Sequence, residues 1–323
     1  NYTYNEFDTI TEGVRINRPI TINGNGYTID AKGKSRIFYV TAGSINITNV
    51  TLKNGKADRC GAIYFENDIS NSNLNATYIN NTATGDGGAN CFWGSVSGSN
   101  IGGTYINNTA TGDGGANYFV WGVSGSNVSG TYINNTAEQG WGGANYFTGS
   151  VSGSNVCGTY INNTAEYGGA NSFWSSVSGS NIGGTYINNT AEQGWGGANR
   201  FDGSVSGSNV CGTYINNTAE WYAGANYFNS VSTSNISGTY INNTAEYGGA
   251  NYFFDSVSGS NIAGIYINNT ASSVAIIYFE VFDNAILTNV TIENAIFLNN
   301  KYNENMGVIF AGKAGVVAKN NTS

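Results

Sequence analysis

The sequence predicts an all-β right-handed parallel β-helix, a solenoid with about 27 residues and three strands per coil. Three observations carry that prediction. First, the string Tyr-Ile-Asn-Asn-Thr-Ala begins at Tyr78, Tyr105, Tyr132, Tyr160, Tyr186, Tyr214, Tyr240 and Tyr266, at intervals of 26 to 28 residues. Second, each interval holds a Gly-Gly-Ala-Asn or closely similar segment with a Phe two residues on (Phe92, Phe119, Phe147, Phe173, Phe201, Phe228, Phe253), then a stretch of the form Val-Ser-Gly-Ser-Asn-Ile/Val. Third, no stretch shows helical periodicity, and three β-favouring stretches per repeat are too few for a four-stranded propeller blade of about 40–45 residues. In a solenoid, equivalent residues of successive coils stack into ladders about 4.8 Å apart, so eight repeats span roughly 40 Å.

The repeats divide the chain into N-terminal coils or a cap over 1–45, regular coils over 46–270 and C-terminal coils or a cap over 271–323, all in one continuous domain. Only 10% of residues are charged while 13% are aromatic and 46 are Gly, so the chain has apolar material to bury and is no solvated coil. A single proline excludes collagen, and no apolar run approaches the ~20 residues of a membrane helix. Histidine is absent, which removes the commonest general base and zinc ligand. Charge is uneven: residues 1–60 sum to +3, residues 61–300 to −13 and the tail to +2. An acidic body lacks the phosphate-neutralising term of nucleic-acid binding, so no nucleic-acid partner is expected.

Alternation along the strands predicts which residues face the lumen. Residues 51–57 align with 77–83 and place Lys53 at the Ile79 position, so Ile79 and its equivalents face out and Tyr78 and its equivalents face in. Counting by twos puts Gly103, Ile101 and Asn107 inside. It makes Asn108, replaced by Gly55 in the early coil, the left-handed corner residue. Asn80, Asn107, Asn134, Asn162, Asn188, Asn216, Asn242 and Asn268 are thus expected to form an interior structural ladder. The residue before each Phe varies (Cys91, Tyr118, Tyr146, Ser172, Arg200, Tyr227, Tyr252), as at an exposed site, which turns Asn90 and Phe92 inward.

The Gly-Gly-Ala-X segments alternating with Tyr-X-Asn-Asn resemble the repeats of chlamydial polymorphic outer-membrane proteins, whose pattern is GGA(I/L/V) with FxxN. The opening coils resemble more closely the adhesin-like surface proteins of methanogenic archaea, through residues 18–30, Ile47-Thr48-Asn49-Val50-Thr51-Leu52 and Gly61-Ala62-Ile63-Tyr64-Phe65. The likeness extends over about 15–310. Tyr in place of Phe, and Asn after Gly-Gly-Ala, make this core more polar than the family pattern. The resemblance implies a cell-surface location and adhesion.

Several residue sets could carry chemistry. Glu138, Glu166, Glu192, Glu220 and Glu246 share one repeat position, with Trp141, Tyr167, Trp195, Trp221, Tyr222 and Tyr247 beside them. They read either as a groove where rings stack on sugars or carboxylates hold calcium, or as a solvated edge whose aromatics cover the corner of the coil. Sequons are dense; Asn75, Asn127, Asn235 and Asn289 are the glycan candidates, because the repeated asparagines are expected inside. Cys157 and Cys211 lie two coils apart and Cys60 and Cys91 are displaced by about four residues, so all four are expected as free thiols or bonds between chains.

These features point to a secreted or cell-surface adhesin-like rod, without catalytic residues or a cofactor beyond possible calcium, whose partners are other cells, glycans or copies of itself. The absence of a leader at Asn1 fits a mature or truncated chain. The alternative is a subunit of a self-assembling filament or sheath, formed by end-to-end stacking or with residues 1–14 completing a neighbour's coil. A polysaccharide lyase or hydrolase ranks third. The central coils offer only Arg200 with Asp202, on outward positions, and no Asp-Asp pair.

Overall fold

The structure is a computed structural model that describes residues 1–5, 10–280, 282, 285–303, 307–312 and 315–322. Its strands pair in parallel into a solenoid of about 11 turns. A representative coil runs through a long strand, Asn100–Ile106, a two-residue strand, Thr109–Ala110, a three-residue strand, Asn117–Phe119, and a second two-residue strand, Val123–Ser124. Among the described residues these four segments fall into three sheets of 15, 9 and 19 strands, because the last two segments of each coil share one sheet.

Through the regular coils equivalent residues pair, Tyr105 on Tyr132 and Asn117 on Asn145, so the inward positions there form ladders of one residue type. The lumen is filled by such ladders. Tyr78 to Tyr266 stack ring on ring, with Tyr105 and Tyr132 centroids 4.7 Å apart and 7° from parallel. Phe65 to Phe279 do the same in a second column, for instance Phe119 and Phe147 at 4.6 Å. Aliphatic columns through Ile101 and Val123 complete the apolar filling. At the Gly-Gly-Ala corner the neighbouring coil's backbone approaches so closely that a Cβ on Gly115 would stand 2.1 Å from the Gly143 carbonyl oxygen, which requires glycine there.

The asparagine facing is the reverse of that expected. Asn107 and its equivalents, Asn80, Asn134, Asn162, Asn188, Asn216, Asn242 and Asn268, take φ of 53° to 55° at an exposed corner. The interior ladder is the next residue, Asn81, Asn108, Asn135, Asn163, Asn189, Asn217, Asn243 and Asn269, all fully buried. The left-handed residue turns the chain without preserving strand alternation, so counting by twos loses its phase there. Inside, each amide is fully used: Asn135 Nδ2 donates to the Tyr105 carbonyl at 3.0 Å and to Asn163 Oδ1 at 3.0 Å, and its own Oδ1 accepts from Asn108 Nδ2 at 2.9 Å and the Asn108 backbone N–H at 3.0 Å. The outer asparagines form a looser ladder in solvent, Asn134 Nδ2 donating to Asn107 Oδ1 at 3.2 Å. Tyr78, Ile101, Asn90 and Phe92 are buried as expected, and Lys53 is half exposed and paired with Asp30 at 3.3 Å.

Cys60 and Cys91 are not free: they form a disulfide with Cα atoms 5.2 Å apart. Cys60 occupies the left-handed corner position (φ 56°) that Gly87 takes one coil later. A Cβ at Gly87 would lie 2.5 Å from Cys91 Sγ, so the corner and the strand residue four positions on meet in space despite their offset in sequence. Cys157 and Cys211 are free, as expected.

At the N-terminal end, Tyr2–Thr3 pair with Ile29–Asp30 and Val14–Ile16 pair with Phe38–Val40 of the same chain; residues 6–9 of the proposed exchange segment 1–14 lie outside the described residues. At the other end Val316–Lys319 pair with Val290–Glu293.

Replacing Asn135 by Asp deletes both interior donors and buries a carboxylate among carbonyl oxygens. We expect a loss of about 3–5 kcal/mol in urea unfolding, whereas Asn134→Asp on the solvent side changes stability by under about 0.5 kcal/mol. Removing the Cys60–Cys91 bridge, which closes 31 residues, is expected to lower stability by about 2–4 kcal/mol, read as the same drop in Cys60→Ser, in Cys91→Ser and in the double variant.

Candidate functional site

The outer surface of the Asn-X-Phe strands carries a layer of aromatic side chains and one buried arginine, Arg200. The X residue points away from the lumen yet is covered: Ser172 and Tyr252 are completely buried, Tyr227 and Arg200 nearly so, and Tyr118 is half-buried. The variety at X therefore reflects a second packing layer outside the coil and not free exposure. Its cover comes from the loop aromatics. Trp141 lies 5.6 Å from Tyr146, Trp195 is stacked 5.1 Å from Tyr227, and Tyr222 is 4.6 Å from Tyr252. Tyr167 and Tyr247 continue the belt, at 5.7 Å from Trp141 and 5.4 Å from Tyr222. Trp221 alone of the expected ligand-stacking residues is strongly exposed, at 43%. The others are half-buried against neighbouring rings.

Arg200 sits inside this layer. Its guanidinium carbon lies 4.2 Å from the Trp141 ring centroid, 4.4 Å from Trp195 and 4.7 Å from Tyr167, and its Nη2 is 2.6 Å from Asp202 Oδ1. The cation is held by three ring faces and one carboxylate, an arrangement that desolvates it and fixes it. Burial pushes the Asp202 carboxyl up, with Arg200 opposing the shift. An arginine so enclosed is poorly placed to take a proton from a solvent-borne substrate.

The glutamate row bonds within the rod. Glu138 Oε2 accepts from Thr111 at 3.4 Å, Glu166 Oε1 from Gln193 at 2.7 Å and Glu246 Oε1 from Ser273 at 2.9 Å, while Glu192 and Glu220 are exposed. Among the described residues no three carboxylates or thiols gather closely enough to share an ion.

Two carboxylates at one repeat position come together. Asp86 and Asp113 lie one coil apart; Asp86 Oδ1 accepts the Asp113 backbone N–H at 3.2 Å, and Asp113 Oδ1 accepts that of Trp141 at 2.9 Å. Burial, helped by the Asp86 charge and opposed by the Trp141 N–H, raises the Asp113 carboxyl to about 6.

A further aromatic surface, half-buried, lies in the early coils, where the sequence marked no site. Tyr39, Tyr64 and Trp93 stack in sequence at 5.1 and 6.2 Å. Arg15 lies over Tyr39, Arg36 over Tyr64 and Arg59 over Trp93, at 5.1, 5.1 and 4.8 Å. Along one flank runs a groove of about 550 Å³ bounded by Lys34, Arg36, Lys56, Arg59 and both tyrosines. On the other lies a groove of about 420 Å³ bounded by Glu66, Asn67, Asp68, Trp93 and Trp121, the last 60% exposed. The signal that could have found it is the clustering of basic residues within the first 60 positions beside Tyr39 and Tyr64.

Of the glycan candidates, Asn75, Asn235 and Asn289 are exposed, whereas Asn127 is half-buried with its amide committed to Asn100 at 2.8 Å and Ser129 at 3.0 Å.

Residues 4–90 match the family described as Putative pectate lyase-like adhesive domain. No curated protein and no solved structure matches the chain. The matched span contains the Tyr39–Tyr64 track, the basic groove and most of the first coils. An adhesive domain on a parallel β-solenoid fits an adhesin-like rod that acts at a surface or outside the cell. No helix in the described residues is long and apolar enough to cross a membrane.

Because Asp113 binds its proton more tightly when folded than its ordinary value of 3.8 allows, its contribution favours folding below that value and is lost as the pH rises through about 6. Asp113→Asn keeps the acceptor for Trp141 and removes the ionisation. The variant is expected to melt above the parent at pH 8, by about 1–2 kcal/mol of stability, with the advantage vanishing toward pH 4; an equal difference at both pH values would contradict the assignment.

Proposed function

We propose that this chain is the rod of an extracellular, cell-surface adhesin that holds carbohydrate on the aromatic track of its early coils. The observation that carries the reading is the exposed Trp121 beside the stacked run Tyr39–Tyr64–Trp93, whose first two rings lie inside the span that matches an adhesive domain. Sugar rings present C–H faces that pack on aromatic planes, and their hydroxyls need nearby acceptors and donors. Glu66, Asn67 and Asp68 supply acceptors on one flank, and Lys56 and Arg59 supply donors on the other. The rod supplies reach and rigidity, and the reading requires no cofactor. Exposed sequons at Asn75, Asn235 and Asn289 are compatible with a glycosylated exterior. Catalysis ranks below adhesion, since the arginine it would call on is enclosed by Trp141, Tyr167, Trp195 and Asp202.

Self-assembly is the second reading. Among the described residues the strand Val316–Lys319 pairs with Val290–Glu293, and a parallel coil of this kind can accept a further strand on its other edge. Against strand exchange at the other end, Tyr2–Thr3 already complete their own first coil.

On a glycan array or by affinity electrophoresis, Trp121→Ala and Tyr64→Ala are each expected to weaken binding about tenfold, the equivalent of ~1.4 kcal/mol, while Trp221→Ala leaves it unchanged. Retention of full glycan binding by both early-coil variants would remove this surface from the function. A mass by light scattering that grows with concentration and falls on deletion of 315–323 would favour the assembly reading.

A further inference from the structure

The eight corner asparagines from Asn80 to Asn268 are exposed, and each opens the triplet Asn-Asn-Thr. That triplet is an acceptor sequence for N-linked glycan, here with the acceptor on the solvent side. Pairing of successive coils sets the eight in one row, at the edge between the 15-stranded and 9-stranded sheets. Seven strand spacings carry the row over roughly 34 Å. The corner itself does not need the threonine. Two coils outside the regular series make the same left-handed turn, at Asn54 with φ 54° and at Asn299 with φ 53°. Both carry lysine at the threonine position, Lys56 paired with Thr82 and Lys301 with Thr270. Nor does the fold use the hydroxyl: among the described residues, none of the eight triplet threonines bonds through it to a protein group.

The outer ladder leaves room for the attachment. Asn134 Nδ2 donates to Asn107 Oδ1 and Asn162 Nδ2 to Asn134 Oδ1, each at 3.2 Å. Each carbonyl thus points one way along the row and the donated N–H the other, so the donated hydrogen is the one anti to the carbonyl. The second amide hydrogen continues the Cβ–Cγ direction, away from the coil. A glycosidic bond in the trans-amide geometry replaces that second hydrogen and keeps the first. Glycan and ladder bond can coexist.

We propose that the corner asparagines are N-glycosylation sites, which line one edge of the rod with covalently held oligosaccharide. In the transfer the amide nitrogen attacks the anomeric carbon of a lipid-phosphate-linked oligosaccharide. The C–N bond forms, the C–O bond to phosphate breaks with its electron pair leaving on the lipid phosphate, and one amide proton passes to a base of the transferase. Nothing is oxidised. Tyr39 and Tyr64 stand on the 19-stranded sheet, away from this edge, so the glycans leave the aromatic track open and the two assignments are independent.

The test uses the full chain isolated from the cells that make it, denatured and cut with chymotrypsin so that each corner falls in its own peptide. Fragment masses then locate the modified residue. The expected result is glycan on the corner asparagines, Asn107 among them, and none on the buried Asn108 or its equivalents. Variants are produced in the same cells. Thr109→Lys, which repeats what the chain does at Lys56, should strip the glycan from Asn107 alone, while Thr109→Ser should keep it. Both should melt within a few degrees of the parent. Bare asparagines at every corner, glycans confined to Asn75, Asn235 and Asn289, or a glycan on Asn107 that survives Thr109→Lys would overturn the proposal.

Discussion

The interior asparagine ladder from Asn81 to Asn300 is the constraint on which the rest of the rod depends. A solenoid's lumen has no water to satisfy a polar group, so an amide there must find all its partners in adjacent coils. From Asn108 to Asn269 each one does so by reaching backward to a tyrosine carbonyl and forward to the next amide, as Asn135 does toward Tyr105 and Asn163. Such a chain of bonds closes only if consecutive coils are in the same register. A slip of one residue would set each buried Asn against the neighbouring coil's corner Asn or Thr and leave a column of donors and acceptors unpaired. The apolar ladders of Tyr, Phe, Ile and Val supply the driving force for burial, and the amides decide which of the many apolar registers is kept.

Fixed register has an effect outside the lumen. Because X residues of successive coils are directly superposed, a large ring at one coil meets a ring or a cation at the next. A layer can then accumulate on the rod's exterior without a second chain. Arg200 is the clearest product: its strand neighbours Ser172 and Tyr227 leave room on one side and a wall on the other, and loop rings close over it. The Cys60–Cys91 bridge acts on the same face near the N-terminal end, where the coils are less regular and register shifts interrupt the pairing of the long strands.

The coil architecture, the period and the inward Tyr and Phe columns were legible in the sequence because each rests on repetition, which a single chain displays many times over. The phase of the asparagines was not. The alternation rule holds only while the backbone stays extended, and both Asn107 and Asn108 belong to the residue type that tolerates a left-handed turn. One observation did separate them: Asn54 is shared by the early coil while Gly55 replaces the second asparagine, and it is the shared residue that makes the corner. The disulfide was hidden for a related reason, since the distance between Cys60 and Cys91 depends on the side-chain direction at a left-handed corner and not on residue count. The early-coil aromatic track was obscured by its departure from the repeat, as Tyr39 and Tyr64 precede the regular Tyr-Ile-Asn-Asn-Thr-Ala series.

Pairing of equivalent residues through the regular coils also makes those coils interchangeable. Excising or duplicating one unit between equivalent corner residues, such as Asn134 and Asn162, would rejoin Asn to Asn, Tyr to Tyr and Phe to Phe with no new interface to invent. The near-identity of the repeats favours unequal recombination that does this. Rod length is then a trait that can drift or be selected in steps of about 4.8 Å, separately from whatever the two ends and the early coils recognise.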